Sequence, residues 1–227
     1  MSNLRDLQSN LKYTFKNEEF LKNALCHKSY INEARGQNLE SYERMEFLGD
    51  AVLGLVISRF IYDRYTSFPE GVLSKLRASV VCEQTLSDAA RDLDIGRYIY
   101  LSNGERLSHG YDKDAILCDV FESIIAAIYL DSDMEHAKKF ILDNLSDTVE
   151  ENATLQQSNS DYKSTLQEKI QHKGKVLSYR ILDEYGPDHE KVYTAAVYVD
   201  GEKIAEGTGA SKKKAHQNAA KKALEKI

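Results

Sequence analysis

From about residue 20 to residue 150, apolar positions recur at three- and four-residue intervals, the repeat of helices that bury one face. Phe20-Leu21-Lys22-Asn23-Ala24-Leu25 opens a short helix, and a long one runs from about Tyr42 to Tyr65. Pro69-Glu70-Gly71 punctuates it, since proline favours a turn. Leu73, Leu76, Val80, Val81, Leu86 and Ala89 then predict one continuous helix from Val72 to Ala90. A loop containing Ser102-Asn103-Gly104 and Ser108-His109-Gly110 precedes a densely apolar helix over Ile116–Tyr129, and a last helix spans Met134 to Val149. No segment alternates with period 2, so residues 1–150 are expected to form an all-α domain.

Residues 151–160 are polar and poor in large apolar side chains, the composition of a flexible tether. The pattern then changes. Asp161 to Lys173 is helical, Leu177–Leu182 and Val192–Val199 read as strands, and Asp200-Gly201 is a tight hairpin turn. A short strand over Lys203–Gly207 and a helix from Ser211 to Ile227 complete it. Residues 161–227 are therefore expected to be a small α+β domain of order α-β-β-β-α.

The formal charge of −6 disfavours a nucleic-acid ligand only as an average. Residues 161–227 carry 13 Lys and Arg against 10 Asp and Glu, and the preceding residues carry 17 against 26. Lysines cluster at Lys212, Lys213, Lys214, Lys221, Lys222 and Lys226, and local distribution sets the field that a ligand meets. No apolar run reaches membrane-spanning length and the N-terminus lacks a signal pattern, so neither membrane insertion nor export is expected. Cys26, Cys82 and Cys118 are odd in number and lie in apolar helical contexts, as reduced core thiols of a cytoplasmic protein would.

The acids of the helical half carry its candidate chemistry. Glu43, Glu46 and Asp50 stand at i, i+3 and i+7, on one face of the long helix. Arg44 advances about 100° from Glu43 and points elsewhere. Downstream, Asp119 and Glu122 are the two acids within Ile116–Tyr129, again three apart. Either set alone could be the solvated edge of an amphipathic helix. Both together suggest two helices facing across an oxygen-ligand site, and carboxylate-only ligation suits magnesium or manganese rather than zinc.

In the second half, Ser164, Gln167, Glu168 and Gln171 form a polar stripe on the opening helix, with Leu166 and Ile170 toward the other side. Such groups suit ribose 2′-hydroxyls in the shallow groove of duplex RNA, although an ordinary solvated face has the same pattern. Ser211 reads as a helix cap, followed by Lys212, Lys213 and Lys214 in the first turn. Cations at that end oppose the helix dipole, an arrangement that an anion such as phosphate would complete. His189 sits at the tip of Gly186-Pro187-Asp188-His189, and a lone loop histidine means little by itself.

The segment Tyr-Glu-Arg-Met-Glu-Phe-Leu-Gly-Asp at 42–50, followed by Asp-Val-Phe-Glu-Ser at 119–123 and an α-β-β-β-α module, resembles bacterial ribonuclease III. The Gly-Pro-x-His and Ser-Lys-Lys-x-Ala elements resemble its double-stranded-RNA-binding domain, and the resemblance covers essentially the whole chain. It implies a helical endonuclease domain and a homodimer. It also implies cleavage of double-stranded RNA with Mg2+, Mn2+ being able to substitute, to 5′-phosphate and 3′-hydroxyl ends with short 3′ overhangs. Glu46, Asp50, Asp119 and Glu122 match the metal-binding acids, with Asp50 and Glu122 the catalytic pair. Glu43 and Glu70 match auxiliary acids, and Phe47 an aromatic at the dimer interface. Ser164, Gln167, Glu168, Gln171, His189, Lys212 and Lys213 are the candidate RNA-binding residues of that domain. Tyr42 stands where many members have Asn, Ala51 where many have Ser, and Cys26 where Thr is frequent. Precursor ribosomal RNAs and structured messenger RNAs are the substrates the family implies. A duplex-RNA binder with a degenerate nuclease fold, or an all-α nucleotide pyrophosphohydrolase, are the rival classes; the retained acids oppose the first and the appended module the second.

Overall fold

The computed structural model describes residues 3–33, 40–158, 162–187 and 191–227. Two compact units emerge, Met1–Ser158 and Asn159–Ile227. In the first, the periodic segments become α1 (Leu4–Asn10), α2 (Glu18–Ala24), α3 (Lys28–Glu33), α4 (Glu43–Arg64), α5 (Glu70–Val80), α6 (Glu83–Asp92), α7 (Asn103–Leu107), α8 (Asp114–Asp131) and α9 (Met134–Ser158). Helix α8 lies at the centre. Ile116, Leu117, Val120, Phe121, Ile124, Ile125, Ala127 and Ile128 are all buried, so it is enclosed on most sides, as its near-continuous apolar sequence requires. Helix α4 buries Val52, Leu53, Val56, Ile57 and Ile61 against the same core and leaves Phe47, Leu55 and Tyr62 exposed.

Three expectations need correction. The helix expected from Val72 to Ala90 is two, broken at Val81 and Cys82, where Cys82 turns extended with ψ 155°. The Ser79 carbonyl freed by the break accepts from Thr85 Oγ1 at 3.2 Å, and the Cys82 thiol caps it at 3.5 Å. The second difference lies in 151–160, whose first eight residues are not a tether: α9 continues through Ser158. Ala153 is buried and Asn152 Nδ2 donates to the Ser79 carbonyl at 3.4 Å, while Arg64 pairs with Glu150 at 2.6 Å, so tertiary contacts extend a polar helix. Third, Cys26 is buried and Cys118 partly so, but Cys82 is exposed rather than in the core.

The second unit contains α10 (Tyr162–His172), β1 (Leu177–Tyr185), β2 (Val192–Val199), β3 (Glu202–Gly209) and α11 (Lys212–Leu224). The strands form an antiparallel sheet of order β1-β2-β3, with Tyr179 opposite Val197 and Val197 opposite Ala205. Asp200 and Gly201 have φ of 52° and 85°, the paired left-handed conformation of a two-residue hairpin turn. Leu166, Ile170, Val197, Val199, Ala205, Ala220 and Ala223 make a small core between sheet and helices.

Candidate functional site

Helices α4 and α8 carry the acids, and Gly49 sets how closely they approach. A Cβ at Gly49 would lie 1.8 Å from the Glu122 carbonyl oxygen, so only glycine permits this approach. Ser123, one residue on and fully buried, donates its hydroxyl proton to the Asp119 carbonyl at 2.8 Å, with the Tyr42 carbonyl 3.4 Å from the same Oγ. The two helices thus bring Glu46 and Asp50 into the electrostatic surroundings of Asp119 and Glu122.

The charges register in the ionisation of these groups. Burial, followed by the negative charges of Asp50, Glu46 and Asp119, pushes the Glu122 carboxyl up to about 8. Glu46 is raised by burial and then by Asp119, Glu43 and Asp50, with Lys28 opposing. Burial also raises Asp119, partly offset by a hydrogen bond from Tyr42. Burial and neighbouring Glu122 and Asp119 push the Cys118 thiol up to about 12, leaving it protonated.

Glu43 acts on Glu46 from the edge of this group. Lys28 Nζ reaches its Oε1 at 3.1 Å and Ser41 Oγ donates to Oε2 at 3.1 Å, so Glu43 is exposed, paired and held below the usual carboxylate range. Glu70 opens α5 and accepts from Ser74 Oγ at 2.6 Å, and it is not among the charges acting on Glu122. A carboxylate the pattern missed, Glu83, acts on both Asp119 and Cys118. Its signal was hidden inside the expected unbroken helix; the break at Val81 and Cys82 makes it the first residue of α6.

A divalent cation fits the chemistry of this donor set: oxygen ligands that repel one another, with Glu46, Asp119 and Glu122 partly buried, Asp50 exposed, and Lys28 paired with Glu43. Among the described residues no three His, Cys, Asp or Glu side chains stand close enough together to hold a metal ion.

Tyr42 links the acids to the rest of the unit. It is 3% exposed, and its hydroxyl donates to Asp119 Oδ2 at 3.2 Å. Its backbone N–H donates to the Cys26 carbonyl at 3.0 Å, and its carbonyl accepts from Met45 and Glu46 at 2.8 Å each. The His27 ring lies 5.8 Å from the Tyr42 ring, and Ser29 Oγ bonds His27 Nδ1 at 2.7 Å while accepting from the Ser102 N–H at 3.1 Å. The Ser29 N–H donates to the same Nδ1 at 3.2 Å, so that nitrogen accepts and the other ring nitrogen of His27 carries the proton in the neutral form.

Phe47, beside Glu46, is 80% exposed, and Leu55 and Tyr62 continue an apolar line along α4. A groove of about 650 Å3 runs beside it, with Leu55, Val56, Phe60, Met134 and Leu142 among its walls.

In the second unit, Ser164 and Gln167 of α10 meet Lys213 of α11 in a cleft of about 520 Å3, together with Lys163, His216 and Gln217. Glu168 and Gln171 are exposed on α10 but do not line the cleft. Lys212 also lies outside it, with Nζ 5.6 Å from the Tyr193 ring centre and 3.9 Å from Glu184. His189 lies outside the described residues. Ser211 caps α11 as expected, its Oγ accepting from the Lys214 N–H at 3.2 Å. Lys163, His216 and Gln217 were missed, although His216 is three residues beyond Lys213 and Lys163 is four before Gln167, both same-face spacings. His216 packs at 5.3 Å from the Tyr179 ring, and burial followed by Lys163 lowers its pKa.

Comparison with known proteins agrees with both halves. Residues 17–149 match the family described as Ribonuclease-III-like, and residues 162–227 match the double-stranded RNA binding motif. The chain is 41% identical over 222 residues to Ribonuclease 3 of Lactiplantibacillus plantarum, an alignment covering 97% of this chain and 95% of that relative. The crystal structure of the nuclease domain of Ribonuclease III from Campylobacter jejuni superimposes with a TM-score of 0.59 and 38% identity, covering 65% of this chain and 97% of that domain. A second structure of that domain, with a TM-score of 0.58, 38% identity, and coverage of 63% of this chain and 99% of that one, is described for flexibility in its region involved in dimer formation.

Proposed function

The chain belongs to the ribonuclease III family, and from that membership we propose that it is a divalent-metal-dependent endoribonuclease whose active site is Glu46, Asp50, Asp119 and Glu122. The observation that carries the site is the close approach of α4 and α8 at Gly49 and Glu122, which gathers Glu46, Asp50, Asp119 and Glu122 into one group and raises the Glu122 carboxyl. Such a cluster would repel an RNA phosphate unless a cation neutralised it. With Mg2+ bound, or Mn2+ in its place, the chemistry available is a water of lowered pKa and relief of charge at the departing 3′-oxygen.

The four acids would hold that ion from two helices, Asp50 and Glu122 being the catalytic pair. The Tyr42 hydroxyl donates to Asp119, and the glycine at position 49 lets the two helices approach closely enough for the two pairs to meet. Glu43 and Glu70 are auxiliary acids, Glu43 tempered by Lys28. The products are 5′-phosphate and 3′-hydroxyl ends with short 3′ overhangs.

Duplex RNA is held by the second unit. Ser164 and Gln167 suit ribose hydroxyls and Lys213 suits phosphate, with Glu168, Gln171, Lys212 and His189 extending the surface. A homodimer forms through α4, each Phe47 covered by the other protomer, which gives one site per strand. No helix of the described residues is long and apolar enough to cross a membrane. The protein works in the cytoplasm on ribosomal RNA precursors and structured messenger RNAs.

The deciding experiment compares release of acid-soluble fragments from long duplex RNA with hydrolysis of nucleoside triphosphates, each with Mg2+ and with EDTA. Duplex cleavage that EDTA abolishes, with the triphosphates untouched, supports this function. Triphosphate hydrolysis without RNA cleavage would reject it.

A further inference from the structure

Asp119 is the acid of the four whose side chain is gripped by an uncharged residue of a different segment, 77 positions away in sequence. The hydroxyl of Tyr42 donates to Oδ2 at 3.2 Å, leaving Oδ1 for a cation. The tyrosine itself has little freedom. It is 3% exposed, its ring lies against His27, its N–H is tied to Cys26, and its carbonyl takes the first turn of α4. Burial and the nearby acids raise its pKa, so the hydroxyl stays protonated and remains a donor.

Resting on the metal-site reading above, we propose that Tyr42 is a positioning residue that pre-orients Asp119 for divalent-cation binding. The terminal torsion of an aspartate is broad and roughly two-fold, so an ungripped carboxylate samples rotations that a metal must later select. A fixed donor on one oxygen removes that search and turns the other oxygen to the cluster. Groups hydrogen-bonded to a metal ligand contribute affinity in this way without touching the metal. Tyr42 would therefore act on the concentration of cation needed to fill the site and leave the reaction rate of the filled site nearly unchanged.

The test is Tyr42→Phe in the full chain, which keeps the ring and removes the hydroxyl. Mn2+ alone is titrated into the RNA-free protein, followed by calorimetry or by the paramagnetic signal of free Mn2+. Mn2+ affinity is expected to fall about 10-fold, the lower end of the effect of losing such a partner. In cleavage assays the Mg2+ concentration for half-maximal rate should rise by a similar factor while kcat at saturating Mg2+ is retained. Ser123→Ala is the structural control: it removes hydroxyl bonds to the Tyr42 and Asp119 carbonyls and leaves the carboxylate grip intact. It should lower the melting temperature without moving Mn2+ affinity. In an Asp119→Ala background, Tyr42→Phe should have no further effect on Mn2+ binding.

Wild-type Mn2+ affinity in Tyr42→Phe overturns the inference, as does an equal loss in Ser123→Ala. If Asp119→Asn and Glu122→Gln abolish cleavage while Tyr42→Phe is silent, the positioning role fails and the metal site stands. If those acid variants cleave normally, both fall.

Discussion

Gly49 and Glu122 are in backbone contact: a Cβ on the glycine would sit 1.8 Å from the carbonyl oxygen of the glutamate. The atom in the way is main chain in the middle of α8, which cannot rotate aside. Gly49→Ala should therefore force α4 and α8 apart. Overpacking of this kind costs about 1–3 kcal/mol, and an immovable neighbour places it at the upper end. A melting temperature lowered by several degrees, with cleavage lost because each helix carries half the acids, is the expected outcome. Wild-type melting and cleavage would show that the helices do not meet as described.

Glu122→Gln should separate binding from cutting. Glutamine keeps the size and one oxygen but drops the charge, so the cation is held poorly and hydrolysis falls by at least about 100-fold. Duplex binding should persist, because the second unit supplies most of it. A labelled duplex is used for both a gel shift and a cleavage assay; near wild-type cutting by this variant would remove Glu122 from the site.

The same residue predicts a pH effect on the metal-free protein. Its carboxyl is raised from 4.5 to about 8, so the folded chain holds the proton more tightly than the unfolded one. That contribution to stability is complete below 4.5 and is lost as pH climbs through about 8. In EDTA the melting temperature should thus carry a component that declines over this interval. Glu122→Gln should flatten the decline and melt higher at the alkaline end, by on the order of 5 °C. Parallel melting curves for the two proteins across that range would contradict the placement of Glu122 among the acids.

Phe47 is exposed to 80% on a line with Leu55 and Tyr62. Phe47→Asp would put a charge into the proposed contact between protomers, and burying an unpaired charge is costly. Sedimentation should show a shift from dimer to monomer with the helical spectrum retained. An intact dimer of the variant would exclude this face.

Lys213 and Lys163 line the same cleft as Ser164 and Gln167. Replacing both by Ala should weaken duplex binding and reduce the slope of log affinity against log salt by about 1 for each phosphate no longer neutralised. Binding is measured in EDTA so that no RNA is cut. An unchanged slope would mean these lysines do not face phosphate. Lys212, already 3.9 Å from Glu184, should contribute less.

What the sequence determined by itself was whatever depends on the local repeat of the backbone. A 3.6-residue period marked the helices, and Asp200-Gly201 announced its turn because few residue pairs accept two left-handed conformations. Glu46 and Asp50 on one helix and Asp119 and Glu122 on another could be paired up because spacing within a helix fixes which side chains share a face. Ser211 was legible as a cap for the same reason: its partner, the Lys214 N–H, is three residues away.

Everything that needed two distant segments was decided by tertiary structure. The break at Val81 and Cys82 has no proline or glycine to announce it, and it is what makes Glu83 a neighbour of Asp119. The polar residues 151–158 stay helical because Ala153 is buried and Asn152 has a partner across the fold, neither of which composition can reveal. Glu122 acquires its shifted ionisation only where burial and three other charges coincide. Tyr42 reaches Asp119 across 77 positions, through a contact that exists only once Gly49 has let α4 settle on α8. Local periodicity is a property of the chain's own geometry; proximity between α4 and α8 is a property of packing, and it is packing that turns four acids into a site.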